Sequence, residues 1–457
     1  MMQKTIIHLF ILAFLASCSS DDEVAEGQTD NVQEFIGEVN VIKTIGGSQQ
    51  DDFLSVVATT DGGAAAFGFT QSNDGDVVGK TTTDSDYWLV KFDNNLNIEW
   101  QQTFGGSNDD RGQSMVSTPD GGFIVNGFTR SLDGDVSQNF GFQDYWVVKL
   151  DANGGIQWGK NIGFSGNDRG YGISTTSEGG YFATGFLDVT SSGGEGNDDF
   201  DELKSKYDQS LPKHGVGEYW GIKLSGGGDM EWRRYFGGTN NDRSYSAIQT
   251  QDGGFLQVGH SESTDFDITD PKGSYDVWVV KTNSVGDLEW QKNFGGSSIE
   301  VGYDVIETDD GQFMLVGDTR SDDKDVSDLK GNADVWIIKF DKDGNKIWEN
   351  TYGGPDFESG RSIIPIGNDE YFITSSSQSR SNQLTANFGR NDVWTFIIDG
   401  NGTLQWQTNI GGSDFDFGNA ASKNSNGDIF VVGSSESEDN DFEINKGDKD
   451  AFILKLK

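Results

Sequence analysis

Three sets of carboxylates recur at fixed spacing along this 457-residue chain. The first is Asp86, Asp144, Glu218, Asp276, Asp334, Asp392 and Asp450, each directly before an aromatic or apolar pair. The second is Asp51, Asp110, Asp168, Asp242, Glu300, Glu358 and Asp416, each five residues after a glycine. The third is an Asp-x-Asp element: Asp74 and Asp76, Asp133 and Asp135, Asp265 and Asp267, Asp323 and Asp325, Asp439 and Asp441. Carboxylates so placed can accept hydrogen bonds at an active rim, and Asp-rich loops can supply some of the roughly six to eight oxygens that calcium takes. They can equally cap turns by accepting from nearby backbone N–H groups. One ligand site has no use for seven equivalent copies, whereas a scaffold of seven parts needs seven identical corners. Turn capping is the expectation. Calcium in the Asp-x-Asp loops is the alternative, without a complete EF-hand pattern behind it, and no other cofactor is expected.

Signatures of catalysis are few. There is no phosphate-binding P-loop, no G-x-S-x-G and no HExxH. Of the three histidines, His214 and His260 lie 46 residues apart without a metal-like partner motif. A glycoside hydrolase, which needs only two carboxylates at a suitable separation, is the weakest of the readings kept open, and no catalytic residue is assigned. A different group stands out by its irregularity. Arg111, Arg169 and Arg243 directly follow second-set carboxylates in three consecutive copies, and Tyr171, Tyr245 and Tyr303 come two residues further on in their own copies. Arg and Tyr are enriched at binding hot spots. Together with a long insertion, Leu187 to Gly217, they are expected to form one ligand-binding patch for a carboxylate-bearing glycan or an acidic partner segment. The competing expectation is that each Arg merely pairs with its neighbouring carboxylate.

The elements that position these residues follow from the repeat itself. Anchored on Gly46, Gly105, Gly163, Gly237, Gly295, Gly353 and Gly411, the copies are spaced by 59, 58, 74, 58, 58 and 58 residues. Such self-similarity has to be read first. Each copy contains four strand-like runs, as in "GQSMVSTP", "FIVNGFTR", "DYWVVKLD" and "IQWGKNIG", joined by Asp-Gly and Gly-Gly turns that favour tight hairpins. Four antiparallel strands in each of seven units predict an all-β, seven-bladed β-propeller. All twelve Trp fall on the repeat: Trp88, Trp146, Trp220, Trp278, Trp336 and Trp394 in third strands, and Trp100, Trp158, Trp232, Trp290, Trp348 and Trp406 in fourth strands. Burying one removes roughly 150–250 Å² from water, worth up to about 4–6 kcal/mol. The seventh unit stops at "DAFILKLK" without a fourth strand, and "EVNVIKTIGG", Glu38 to Gly47, aligns with "NIEWQQTFGG". The N-terminal segment should therefore supply that strand and close the ring, leaving no open sheet edge. The insertion contains "DDFDELKSKYDQS", which suggests a short helix.

The repeated phrase resembles the propeller repeats of secreted and surface proteins of Bacteroidota, of the type W-x-x-x-[FY]-G-G-S…D-G-G-[FY]…D-[YV]-W-[VI]-[VI]-K. The resemblance spans residues 36–457 and implies a fold far more than a function. The G-x-x-W endings also resemble the tryptophan-docking turns of quinoprotein propellers, which have eight blades and whose cofactor site has no counterpart here. The chain begins with Lys4 and an apolar run from Ile6 to Ala16, too short to span a bilayer and so read as a signal peptide, 1–17. "LASC" resembles the lipobox of bacterial lipoproteins, which implies lipidation of Cys18, and the following "SSDDE" resembles a surface-export signal of Bacteroidota lipoproteins. Cys18 is the only Cys, which leaves no intramolecular disulfide. Residues 18–35 read as the lipidated Cys and an acidic disordered tether. Formal charge is −41, and about −42 once Lys4 is removed, a surface that repels nucleic acid and anionic lipid. The resulting expectation is a non-enzymatic outer-membrane surface lipoprotein, anchored by palmitate or a similar acyl chain. It would act as a scaffold for an envelope protein or, alternatively, as a lectin-like module for extracellular glycan.

Overall fold

A computed structural model of the chain describes residues 35, 37–197, 214–384 and 386–457. Cys18, the tether up to residue 34 and the segment "DDFDELKSKYDQS" lie outside the described residues. The described residues form 28 strands in seven four-stranded antiparallel sheets, a seven-bladed β-propeller. Blade one is Asp51–Ala58, Ala64–Thr70, Asp86–Phe92 and Ile98–Phe104, and the other blades repeat this order. The seventh sheet contains Asp416–Lys423, Ile429–Ser435, Asp450–Leu456 and the N-terminal strand Val39–Ile45. That strand pairs antiparallel with Asp450–Leu456, with Val41 opposite Lys455 as Trp100 is opposite Lys91 in blade one. Backbone bonds from Glu38 N–H to the Lys457 carbonyl and back complete the closure. The anticipated ring closure is therefore present, in the anticipated register.

Second and third strands are buried on both faces, which their near-continuous apolar runs require. The six third-strand Trp are at most 1% exposed, and Phe452 takes the seventh place. Where the residue before the Trp is Tyr, it pins the next blade: the Tyr87, Tyr145 and Tyr219 hydroxyls donate to the Trp146, Trp220 and Trp278 carbonyls at 2.9, 3.2 and 2.8 Å. The six outer-strand Trp are only half-buried, so each contributes less than full burial would. Each instead docks across a blade boundary. A β-carbon added to Gly154 would lie 2.8 Å from the Trp100 ring, and Gly228, Gly286, Gly344 and Gly402 stand in the same relation to Trp158, Trp232, Trp290 and Trp348. These turn glycines have φ between 76° and 85°, where only glycine is unstrained. Trp406 meets Gly37, φ 71°, at the place where the seventh turn is cut open by the chain termini.

The seventh junction reverses this pattern. Its outer strand carries Val41 where the others carry Trp, and the facing turn of blade one carries Leu96 where the others carry Gly. Leu96 adopts φ 59° and is 1% exposed, in one core cluster with Val41 packed against it. The smaller side chain on one blade leaves the space that the larger one on its neighbour fills. Blade two shows an uncompensated variation. The indole N–H of Trp88, Trp278, Trp336 and Trp394 donates to Gln101, Gln291, Glu349 and Gln407, thirteen residues later. In blade two that position is Gly159, and the Trp146 indole N–H is buried without a protein acceptor.

Two substitutions test these junctions. Val41→Trp alone should destabilise by about 1–3 kcal/mol through overpacking, and Leu96→Gly in the same chain should recover most of that loss. Additive losses in a urea-denaturation double-mutant cycle would show that the two positions do not share one space. Gly159→Gln should stabilise by about 1 kcal/mol, by giving Trp146 its acceptor and removing a strand glycine. A β-carbon there meets only the Trp146 nitrogen, at 3.4 Å. An unchanged or lower urea midpoint would contradict it.

Candidate functional site

The carboxylate sets form the corners at one face of the propeller. In blade one, Asp51 Oδ2 accepts from Gly47 N–H at 2.8 Å and from the Ser72 hydroxyl at 2.8 Å, while Oδ1 accepts from the Thr70 hydroxyl. Asp110, Asp242, Glu300, Glu358 and Asp416 repeat the bond to the second Gly of the turn at 2.7–2.8 Å. Five of the first-set carboxylates accept a backbone N–H bond from four residues earlier in the loop, as Asp144 does from Phe140 at 2.5 Å and Asp392 from Phe388 at 2.6 Å, while Asp86 pairs with the Lys80 ammonium at 3.0 Å and Glu218 accepts from Gly215 N–H at 2.6 Å. The Asp-x-Asp loops also grip the Gly-Gly turn: Asp74 accepts from Ser48 N–H at 2.7 Å and Asp76 from Gly46 N–H at 3.2 Å. The same pair of bonds recurs at Asp133/Asp135, Asp265/Asp267, Asp323/Asp325 and Asp439/Asp441. These oxygens face backbone donors, the environment of a turn cap. Among the described residues no group of three His, Cys, Asp or Glu is arranged to hold a metal ion.

The corners bring carboxylates together in pairs across each blade junction. A β-carbon on Gly105 would lie 2.4 Å from Asp86 Oδ1 and 2.8 Å from Asp110 Oδ2, so the anchor must be glycine. Burial pushes the carboxyls of Asp86, Asp144, Asp242, Asp334, Asp416 and Asp450 up to about 6. Asp168 rises to about 8 through burial, with the nearby Asp144 and Asp188 charges adding to it, and burial, with the nearby Asp242 charge, pushes the Glu218 carboxyl well above its ordinary range. In that corner Leu187 and Val189 stand in place of the hydroxyl residues, and only the backbone N–H groups of Phe164 and Asp188 donate.

The three arginines are half-buried at the same face. They do not pair with their neighbouring carboxylates, as one expectation held. Each lies over a Phe of the preceding blade: Arg111 over Phe69 at 4.9 Å, Arg169 over Phe128 at 4.8 Å and Arg243 over Phe186 at 4.9 Å. Arg169 Nε also donates to Gln143 at 2.6 Å. A guanidinium stacked on an aromatic face keeps its charge available while its stem is covered. Of the insertion, the described part holds a four-residue helix, Val189–Ser192, capped by the Asp188 side chain on Ser191 N–H at 2.8 Å.

The tyrosines lie deeper, on the wall of the central channel. Tyr171 and Tyr245 have ring centroids 5.1 Å apart, and Tyr245 and Tyr303 are 5.3 Å apart. The arc continues into a residue that the pattern of Arg followed by Tyr did not pick out, Arg361, whose guanidinium lies 3.9 Å from the Tyr303 ring centroid. Reading the eighth residue after each anchor glycine as one column would have found it: Leu54, Gln113, Tyr171, Tyr245, Tyr303, Arg361 and Asn419, all lining one cavity of about 270 Å³. Burial pushes the Tyr245 and Tyr303 hydroxyls above their ordinary range, with Arg361 opposing the shift in both. His260, at 5.6 Å from the Tyr245 ring, is buried and held neutral, its imidazole pushed down to about 3 by burial and by Arg243. The structure thus brings the three Tyr together in the channel and sets the three Arg at the rim above it.

No family model matches the chain, and no curated protein matches it. Solved structures share its propeller architecture. The WD40 domain of Neurospora crassa Pan2 is 9% identical with a TM-score of 0.45, over 90% of this chain and 97% of that one. BBS1N, in a complex with ARL6DN, is 8% identical with a TM-score of 0.46, over 93% and 97%. A puromycin hydrolase is 12% identical with a TM-score of 0.43, over 85% of this chain and 51% of that one. These likenesses are of fold alone.

The raised carboxyls set a direction for pH dependence. A group whose folded pKa lies above its unfolded value stabilises fully below the unfolded value and loses that contribution as pH rises through the folded one. The corner carboxyls, raised to about 6 and about 8, should therefore make the melting temperature fall between pH 5 and pH 9. Asp61 and Asp120, held at about 2 chiefly by Lys91, Lys149 and neighbouring threonines against the opposing effect of burial, act oppositely and only in stronger acid. Asp168→Asn, neutral at every pH, should flatten the part of the slope above pH 7. A melting temperature that rises from pH 5 to pH 9 would refute this.

Proposed function

We propose that this chain is a non-enzymatic scaffold, anchored through Cys18 to the outer membrane and exposed at the cell surface, that binds a protein partner on the face carrying its long loops. The observation that supports the reading is where the apolar surface lies. The loops joining second to third strands expose Leu132, Phe140 and Phe142 in blade two, Val216 in blade three and Phe266 in blade four, at 70, 51, 53, 51 and 38%. In the other blades the same loops expose only Val78, Phe388 and Ile444 as large apolar side chains among the described residues. Exposed apolar surface rimmed by polar groups marks interaction sites, and a scaffold presents function on its loops. Arg169 and Arg243 stand on this face, and Arg130 lies over Phe142 at 4.2 Å, adding a charged contact to an aromatic one. A cleft of about 450 Å³, lined by Phe140, Phe164 and Arg233 among others, opens beside the same loops. Such a mixture of Phe and Arg suits a partner with apolar anchors and acidic neighbours.

A photo-crosslinking residue at position 142, introduced in the native cell, should give one discrete heavier adduct, and the same residue at Val285, on the opposite face, should give none. Equal labelling from both positions would remove the loop face as the contact surface. The anchor is tested separately: Cys18→Ala should abolish labelling by radioactive palmitate, and retained labelling would place the acyl chain elsewhere.

A further inference from the structure

The column of residues lining the channel is the least repetitive in the molecule. Corners are kept in all seven blades, yet the eighth position after the anchor carries Tyr in three adjacent blades, Arg in the next and amides in two others. The four residues Tyr171, Tyr245, Tyr303 and Arg361 form a continuous arc, with Gln113 and Asn419 on the remaining wall. All six are half-buried, hence reachable from the cavity.

Among the described residues Arg361 is the only cationic side chain lining this cavity; it makes no direct ion pair, its charge being met only by a hydrogen bond with the Tyr303 hydroxyl and by the buried Asp318 behind the wall. The one carboxylate on the wall, Asp304, is already committed. It accepts from the Ser246 hydroxyl at 3.0 Å, Val305 N–H at 2.9 Å and Ile363 N–H at 3.0 Å, tying the inner strands of three blades together. Asp318, behind the wall, accepts from the Ser359 hydroxyl at 2.7 Å. A guanidinium held over an aromatic ring without a carboxylate partner, in a protein of net charge −41, is built to receive an anion from outside. Its planar fork suits a carboxylate in particular.

The rest of the wall limits what carries that carboxylate. Aromatic rings present electron-rich faces, which attract the polarised C–H groups on the face of a pyranose ring. Amide and hydroxyl groups around them match sugar hydroxyls. A cavity of about 270 Å³ falls below the ~300–1,000 Å³ of clefts that enclose drug-sized ligands, so it takes one ring rather than a stretch of peptide. We infer that the central channel binds a single hexuronic acid unit, its carboxylate on Arg361 and its ring face on the tyrosine arc. This site is separate from the loop face, and each stands or falls without the other.

Isothermal titration calorimetry of the full mature chain in detergent tests it, with glucuronate and galacturonate as probes. At least one should bind, and its neutral methyl ester should bind about tenfold more weakly or worse, the loss expected when a charge-assisted pair is removed. That comparison uses only the wild-type protein and does not depend on any variant folding. Arg361→Gln should lose the same factor toward the acid while leaving the ester unchanged, whereas Arg390→Gln, in an exposed loop of the same blade and outside the cavity lining, should bind the acid as wild type does. The inference is overturned if neither uronate binds at millimolar concentration, if acid and ester bind equally, or if a tetraglutamate peptide binds where the uronates do not.

Discussion

A ring of seven sheets closes only if every blade finds the next at the same angle, and here that contact is an indole laid on a glycine turn. The ladders stop at each blade's outer strand, and between blades the backbone pairs only at isolated corner bridges, such as Gln143 with Asn167 and Gln50 with Lys449. The outer Trp reaches across instead and rests where the next turn has no side chain. Three of these indoles also donate onward, Trp232 to the Ser284 carbonyl, Trp290 to Lys342 and Trp348 to Gly400. The positive φ of the turn and the absence of a β-carbon are thus one requirement, imposed from the neighbouring blade. The seventh junction makes the point by exception: Trp and Gly change together to Val41 and Leu96. The chain termini lie one junction away, at the turn that meets Trp406 of blade six, because blade seven takes its outer strand from the far end of the sequence.

The second constraint is electrostatic. Each blade boundary buries two carboxylates beside one glycine, a costly arrangement unless donors surround them. Most corners supply hydroxyls and backbone N–H groups to the second-set carboxylate. The corner at Asp168 supplies only backbone, because its loop runs into the insertion instead of the usual hydroxyl residues, and its carboxyl is pushed up to about 8, against about 6 for Asp242 and Asp416. Elsewhere a raised carboxyl in a cleft points to catalysis. Here the shift recurs around the ring at equivalent corners, where burial pushes the carboxyl up and one oxygen of Asp86, Asp144, Asp334, Asp392 and Asp450 has no hydrogen-bond partner among the described residues, which marks it as the consequence of a repeated structural joint.

The repeat made the architecture legible, and legibility ended where the repeat did. Blade count, ring closure and the third-strand Trp could be read because each is a period or a broken period in the chain. Burial of the outer Trp could not, since indole against a turn of another blade depends on how sheets pack side by side. The arginines show the same limit. Their near neighbours in sequence are carboxylates, but the surfaces next to them in space are Phe69, Phe128 and Phe186, which lie 42, 41 and 57 residues earlier in the chain. Arg361 escaped notice for a different reason. It follows Ser359 and Gly360 instead of an Arg, so a search for Arg followed by Tyr passes over it, while the column of channel residues places it beside Tyr303.

Symmetry then becomes a guide to function in this fold. Residues common to all blades answer to needs common to all blades, such as corners, turns and wedges, and they tolerate little change. A residue that differs from blade to blade is free of that demand, so a coherent grouping among such residues needs another cause. Two groupings qualify. One is the apolar loop surface gathered over blades two to four. The other is the channel arc of three Tyr and one Arg, in which three aromatic rings and a cation without a direct ion pair among the described residues stand side by side although Leu54, Gln113 and Asn419 fill the same structural position elsewhere. Since the position accepts leucine and amides without loss of the blade, packing does not demand the aromatic arc. A ligand in the channel supplies the demand that packing does not.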